Sequence, residues 1–358
     1  MAAALRNILV LLWLALMTGA GMAAQDASEP AQEPATGKMP SLSAPVPAPS
    51  KLKPLPAPTE MIDPQRFGGG KTQGGGIDPD RFGGERSDPA YGAFQRGLYK
   101  TAYNLALPRA ENGNAAAQTL IAEILSRGLG VARDDRGAAK WYALAAEQGV
   151  PEAQFQYALM LIDGNFVKKD MQAAYALMES AAEAGNRLAQ FNFAQMLIQR
   201  EPGGKGLEKA VSYYERAAKS HLADAQYAMS QIYANGVGGK PRDEAEARKW
   251  LVLAARQGYD TAQLDLGTSL VDSRRERDEK EGFRWLRLAA EGGNVAAQNR
   301  VAKLYMNGIG TAPDSISAAA WFILARRAGL ADPAMEDFLN GLTDEEMKEA
   351  LQRANRLR

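Results

Sequence analysis

The chain has 358 residues, with 42 Lys plus Arg balanced by 42 Asp plus Glu, no cysteine and a single histidine, His221. A neutral balance without a clustered basic surface argues against a nucleic-acid partner. The lack of Cys removes disulfides, thiol catalysis, thiolate metal sites and a lipid-anchoring Cys. One His leaves little room for a metal cage or a Ser-His-Asp triad, so no metal or cofactor is expected.

The first segment has the order charged, apolar, small. Arg6 carries the charge, Ile8 to Met17 are apolar, and small residues fill most of Thr18 to Ala24. This order predicts a secretory signal peptide over 1–24, cut after Ala23 or Ala24. The apolar run is shorter than the ~20 residues a spanning helix needs. The expected mature protein is periplasmic or secreted, with no stable membrane insertion after cleavage.

Residues 25–87 change character. Prolines from Pro30 to Pro58 break any helix or sheet, and a Gly-rich stretch follows. So little apolar surface predicts a disordered linker. Within it, Ile62-Asp-Pro-Gln-Arg-Phe-Gly-Gly69 recurs as Ile77-Asp-Pro-Asp-Arg-Phe-Gly-Gly84. Each copy offers a cation and an aromatic, Arg66 with Phe67 and Arg81 with Phe82. The copies read either as a duplicated spacer or as a tandem docking motif strengthened by linkage.

From Asp88 onward the chain repeats itself. The dipeptide Ala-Gln occurs at residues 117, 153, 189, 225, 262 and 297, at spacings of 36, 36, 36, 37 and 35. A second marker runs in phase with it: Ala145-Ala-Glu-Gln-Gly149, Ala181-Ala-Glu-Ala-Gly185, Ala217-Ala-Lys-Ser-His221, Ala254-Ala-Arg-Gln-Gly258 and Ala289-Ala-Glu-Gly-Gly293. Such a period marks stacked repeats. Ala117, Ile121, Ile124 and Leu125 share one helical face, and Gly128 is placed to close that helix. Ala138, Trp141, Tyr142, Ala145 and Ala146 belong to a second helix that stops at Gly149. Trp141, Tyr175, Tyr214, Trp250, Trp285 and Trp321 are expected to fill the space between units.

The fold expected is all-α, a right-handed superhelical α/α solenoid of about six 36-residue pairs over 114–329. One pair cannot bury its own apolar face, so the stack needs ends. A capping helix is predicted over 88–113, opened by Asp88-Pro89. A C-terminal cap over 330–358 contains the capping box Thr343-Asp-Glu-Glu346.

These repeats resemble the Sel-one-like repeat family, relatives of the tetratricopeptide repeat. The resemblance is carried by Ala297-Gln-Asn-Arg-Val-Ala-Lys-Leu-Tyr305, Gly308-Ile-Gly310, Gly128-Leu-Gly130 and Lys140-Trp-Tyr-Ala-Leu-Ala-Ala146, and covers about residues 90–329. Two repeats depart from it, at Pro202-Gly-Gly-Lys205 and at Asp272 to Asp278, where Gly-x-Gly is expected. The resemblance implies a scaffold that recruits envelope or secreted proteins; an enzyme using carboxylates as acid and base is not expected, since no paired-carboxylate motif recurs in a defined cleft position. A module that binds cell-wall glycan or peptide is the alternative. No catalytic residue is assigned, because Glu147, Glu183 and Glu291 recur with the repeat and need only a surface role. Gly236-Val-Gly-Gly-Lys240 lacks the spacing of a phosphate loop.

In tetratricopeptide-like stacks the first helix of each pair lines the concave side. By that resemblance the column after Ala-Gln, with Phe155, Phe191 and Tyr227 in succession, faces a groove. Gln156, Asn192, Gln195 and Gln231 would then hold the backbone of an extended peptide. A second reading packs the same aromatics between helices, where Tyr157 and Phe193 compete for the interior. The sequence leaves both open. It also leaves His221 in place of a helix-closing Gly, with a different helix end expected there.

Overall fold

The computed structural model describes residues 88–357. The predicted signal peptide 1–24 and linker 25–87, including Arg66, Phe67, Arg81 and Phe82, lie outside the described residues. Sixteen helices and no strand occur among the described residues. They begin with α1 (Pro89–Gln95), α2 (Tyr99–Glu111), α3 (Ala115–Arg127) and α4 (Asp135–Glu147). Next come α5 (Pro151–Asp163), α6 (Met171–Glu183), α7 (Arg187–Arg200) and α8 (Gly204–Lys219). The third group is α9 (Ala223–Asn235), α10 (Glu244–Arg256), α11 (Asp260–Asp272) and α12 (Glu276–Glu291). The chain ends with α13 (Val295–Asn307), α14 (Ser315–Arg327), α15 (Pro333–Asn340) and α16 (Asp344–Arg356).

The pairs α3/α4 through α13/α14 are the six predicted repeats, and each helix packs on the next in sequence. Short polar side chains start many of them. Asn114, Asn186 and Asn294 accept the backbone N–H three residues on, at 2.9, 2.9 and 3.0 Å, at the heads of α3, α7 and α13. Asp134, Asp170, Asp243 and Asp314 do the same for second helices. Gly128, Gly164, Gly236 and Gly308 close first helices in the left-handed conformation.

The second marker is the other stop. Gly149 has φ +83°, its N–H bonds to the carbonyl of Ala146, and the N–H of Val150 reaches back to that of Ala145. That double closure leaves few carbonyls orphaned at the helix end. His221 stands in this position with φ +58°. Its N–H bonds Ala218 O and the next N–H bonds Ala217 O. The different helix end expected there is therefore absent. His221 holds the left-handed conformation itself, at a cost of about 1–2 kcal/mol for a residue with a Cβ.

The two departures from the repeat pattern have one structural meaning. The connections 201–203 and 273–275 are three residues long, and the helices that follow, α8 and α12, have 16 residues where the other second helices have 13. The residues missing from the loop extend the helix.

Small residues make the stack close. Ala145, Ala181, Ala217, Ala254, Ala289 and Ala325 are fully buried. In register with them, four residues earlier, stand Trp141, Leu177, Tyr213, Trp250, Trp285 and Trp321. Tyr175 and Tyr214 lie just outside that column. Tyr214 is buried all the same, and Tyr175 meets Phe193 edge-on at 5.0 Å.

The predicted single capping helix over 88–113 is two helices. Gly97 takes φ +76°, and the N–H groups of Gly97 and Leu98 fold back onto Phe94 and Ala93. The cap is thus a shortened helix pair. At the other end the predicted capping box is present: Thr343 N–H donates to Glu346 Oε2 at 2.9 Å, and Glu346 N–H to Thr343 Oγ1 at 3.3 Å. Arg353 of α16 ties back to Asp314 and Ser317 at the head of α14.

Candidate binding surface

The Ala-Gln marker is structural. Gln118, Gln154, Gln190, Gln226, Gln263 and Gln298 are all buried. Each donates its Nε2 hydrogen to the carbonyl eight residues before it: Ala110, Ala146, Ala182, Ala218, Ala255 and Ala290, at 3.1 to 3.3 Å. The amide thereby caps the C-terminus of the preceding second helix, where carbonyls lack intrahelical donors. In two units the second marker completes the contact, since Gln148 donates to Gln118 and Gln257 to Gln226, at 2.7 and 2.6 Å. The sequence flagged the dipeptide as a period marker; this is the reason the period needs it.

The residue after the marker Gln is buried in the first three units, as Thr119, Phe155 and Phe191, and half-buried in the last three. Phe155 and Phe191 are each 5% exposed. The Phe191 ring lies 5.5 Å from that of Tyr214. Between the two readings left open, these two aromatics take the interior one, and the expected ladder on a groove is not formed by them. Tyr227 differs. It is half-buried, its hydroxyl donates to the Asp265 carboxylate at 2.9 Å, and its ring lies 5.1 Å from Tyr259. Burial, then the Asp265 charge, push its hydroxyl well above the ordinary tyrosine value.

The positions two before, two after and five after the marker Gln are spaced by four and three, so they share one helical face. They are half-buried along α5, α7, α9 and α11 apart from Gln195, which is buried. Gln156 and Asn192 occupy the second of these positions, Gln195 and Gln231 the third. Gln156, Asn192 and Gln231 thus stand half-buried at face positions of α5, α7 and α9, and Gln195 shares the register but is enclosed. Gln156 donates to Glu152 at 3.0 Å, and Asn192 donates to the carbonyl of Leu188 at 2.8 Å. Gln195 is 7% exposed, and its Oε1 has no hydrogen-bond partner among the described residues.

Three residues of this region were not singled out from the sequence: Asp224, Tyr259 and Asp265. Burial raises the carboxyls of Asp224 and Asp265 above their ordinary value. Aligning the repeats points to Tyr259, which sits where Asn114, Asn186 and Asn294 cap their helices and makes no side-chain cap itself. On α13 the face turns basic, but Arg300 and Lys303 are already paired, with Asp272 and Asp332.

Among the described residues no helix is long and apolar enough to cross a membrane. No curated protein sequence matches the chain. Among solved structures, a Sel1 repeat protein from Oxalobacter formigenes is 28% identical over 70% of this chain and 74% of its own, with a TM-score of 0.58. A protective antigen present in uropathogenic Escherichia coli strains, displaying an SLR fold, is 26% identical over 75% of this chain and 68% of its own, with a TM-score of 0.50. The Sel1 repeat matches six consecutive segments, residues 115–150, 151–186, 188–221, 223–259, 261–294 and 295–330, which together exceed half the chain. Given those segments and the helix pairs they trace, the chain belongs to the Sel1 repeat family, whose members are generally scaffolds for protein–protein interaction.

Proposed function

We propose that this chain is an exported scaffold, working in the periplasm or beyond, that holds an extended segment of an envelope or secreted protein along the polar face of α5, α7, α9 and α11. The charged-apolar-small order of residues 1–24 supports export. The observation that carries the binding reading is the register of Gln156, Asn192 and Gln231, half-buried amides on the same face of successive first helices. Asn192 spends its amide N–H on the carbonyl of Leu188 and Gln156 spends its own on Glu152, so their amide oxygens are free to accept backbone N–H groups of a bound strand. Asn192 stands on α7 at the position that Gln156 holds on α5, and Gln231 follows on α9 one turn further along the face.

The test is capture from envelope extract by the mature chain, beside an Asn192→Ala, Gln231→Ala variant. Both positions are half-buried, so the variant should keep its helical circular dichroism. The expected result is one protein retained by the wild type and reduced at least tenfold by the variant. Equal capture by both, or capture of glycan alone, overturns the reading.

A further inference from the structure

The first end of the stack is bare. Within the stack, side chains of a second helix reach the second helix before it. On α8, Tyr213 donates its hydroxyl to Glu183 at 2.6 Å, and Arg216 pairs with the same carboxylate at 3.1 Å. Glu183 is the last residue of α6. Leu105 and Pro108 hold the positions of Tyr213 and Arg216 three units earlier, on α2. Among the described residues no second helix precedes α2, and α1, which shares this end, has 7 residues where α3 has 13. Leu98 is accordingly 49% exposed and Leu105 44%. With exposed Thr101 and Pro108 they are spaced by three, four and three, which makes one helical stripe without a charge. At 1.5 Å per residue the stripe is about 15 Å long.

The chain enters the solenoid beside this stripe. Asp88 caps α1, and its carboxylate lies 2.7 Å from the guanidinium of Arg109, one turn beyond Leu105 on α2. In the residues leading up to it, 77–87, the large apolar side chains are Ile77 and Phe82. Phe82 is six residues before Asp88, a reach of up to about 20 Å, so it can meet any part of the stripe. Gly83 and Gly84 let the backbone turn back. We infer that Ile77 and Phe82, the apolar residues of the second Ile-Asp-Pro copy, seat on Leu98 and Leu105 and close the first end of the solenoid. Removing a phenylalanine ring and two leucines from water drives the contact. The first copy has the same chemistry, but Phe67 is 21 residues from Asp88, and a longer loop costs more entropy to close. A second chain stacked head to tail is disfavoured, because α16 at the other end opens on Asp344, Glu345 and Glu346.

The test is hydrogen exchange of the mature chain, read by mass spectrometry over α2. The ends of a stacked-repeat fold open most readily, so a covered end exchanges more slowly. Phe82→Ala should speed exchange in α2 about fivefold and leave α9 unchanged, which shows that the fold is intact. Phe67→Ala should change neither helix. Leu105→Ser, at an exposed position, should speed exchange in α2 by a similar factor. Adding Phe82→Ala to Leu105→Ser should then do little more, because residues in contact are not additive. Exchange in α2 that Phe82→Ala does not move overturns the inference, as does full additivity of the two changes. An effect of Phe67→Ala in place of Phe82→Ala overturns it in favour of the other copy. Protection that grows with protein concentration and survives Phe82→Ala overturns it in favour of a second chain on this end.

Discussion

Phe191→Ala should destabilise the solenoid by about 3–5 kcal/mol, the range for truncating a buried aromatic. Phe191 is almost wholly enclosed, and its ring packs beside that of Tyr214. It belongs to the largest apolar cluster, which runs from Phe155 through Leu197 and Val211 to Trp250. Removing the ring deletes its transfer free energy and leaves a cavity that the alanine-lined helices around it cannot close. A urea titration followed by circular dichroism reads the change as a shift of midpoint. An aromatic standing in an open groove would cost no more than about 0.5 kcal/mol when truncated. A shift that small would show that Phe191 is not a core residue.

Gln226→Leu should cost about 2 kcal/mol, within the range for leaving a buried polar group unpaired. The change keeps the volume but removes the donor to Ala218 O and the acceptor for Gln257. Gln154→Leu should cost less, about 1 kcal/mol. It removes one hydrogen bond but also removes Gln154 Oε1, a buried acceptor without a partner. Parallel denaturant titrations compare the two variants. Equal costs would mean that the Gln226–Gln257 contact contributes nothing, and no cost in either would contradict the capping role.

The helix pairs were legible because two markers, each with a physical task, recur in phase. Gly149 and its counterparts must reach the left-handed region, and Gln118 and its counterparts must reach a carbonyl of the preceding helix. The sequence showed the second regularity without its cause, since the acceptor is a backbone atom eight residues away and leaves no compositional trace. The break at Gly97 was missed because Asp88-Pro89 and the apolar residues to Glu111 read as one amphipathic run. Only the left-handed turn divides them. The aromatic column was ambiguous for a similar reason: periodicity places Phe155, Phe191 and Tyr227 on one line, but burial is decided by the neighbouring unit. The amides at Gln156, Asn192, Gln195 and Gln231 were found by register alone. Asp224 and Asp265 were not, because the burial that raises their carboxyls is a property of the packed stack.

The central claim is that the polar face of the first helices, and not the outer face of the second, carries the partner. Site-specific photo-cross-linking tests it most directly, with the photoreactive residue placed at Gln231 on α9 or at exposed Ser212 on α8. The account predicts a covalent adduct with the captured protein from position 231 and none from position 212. An adduct from 212 alone would contradict it.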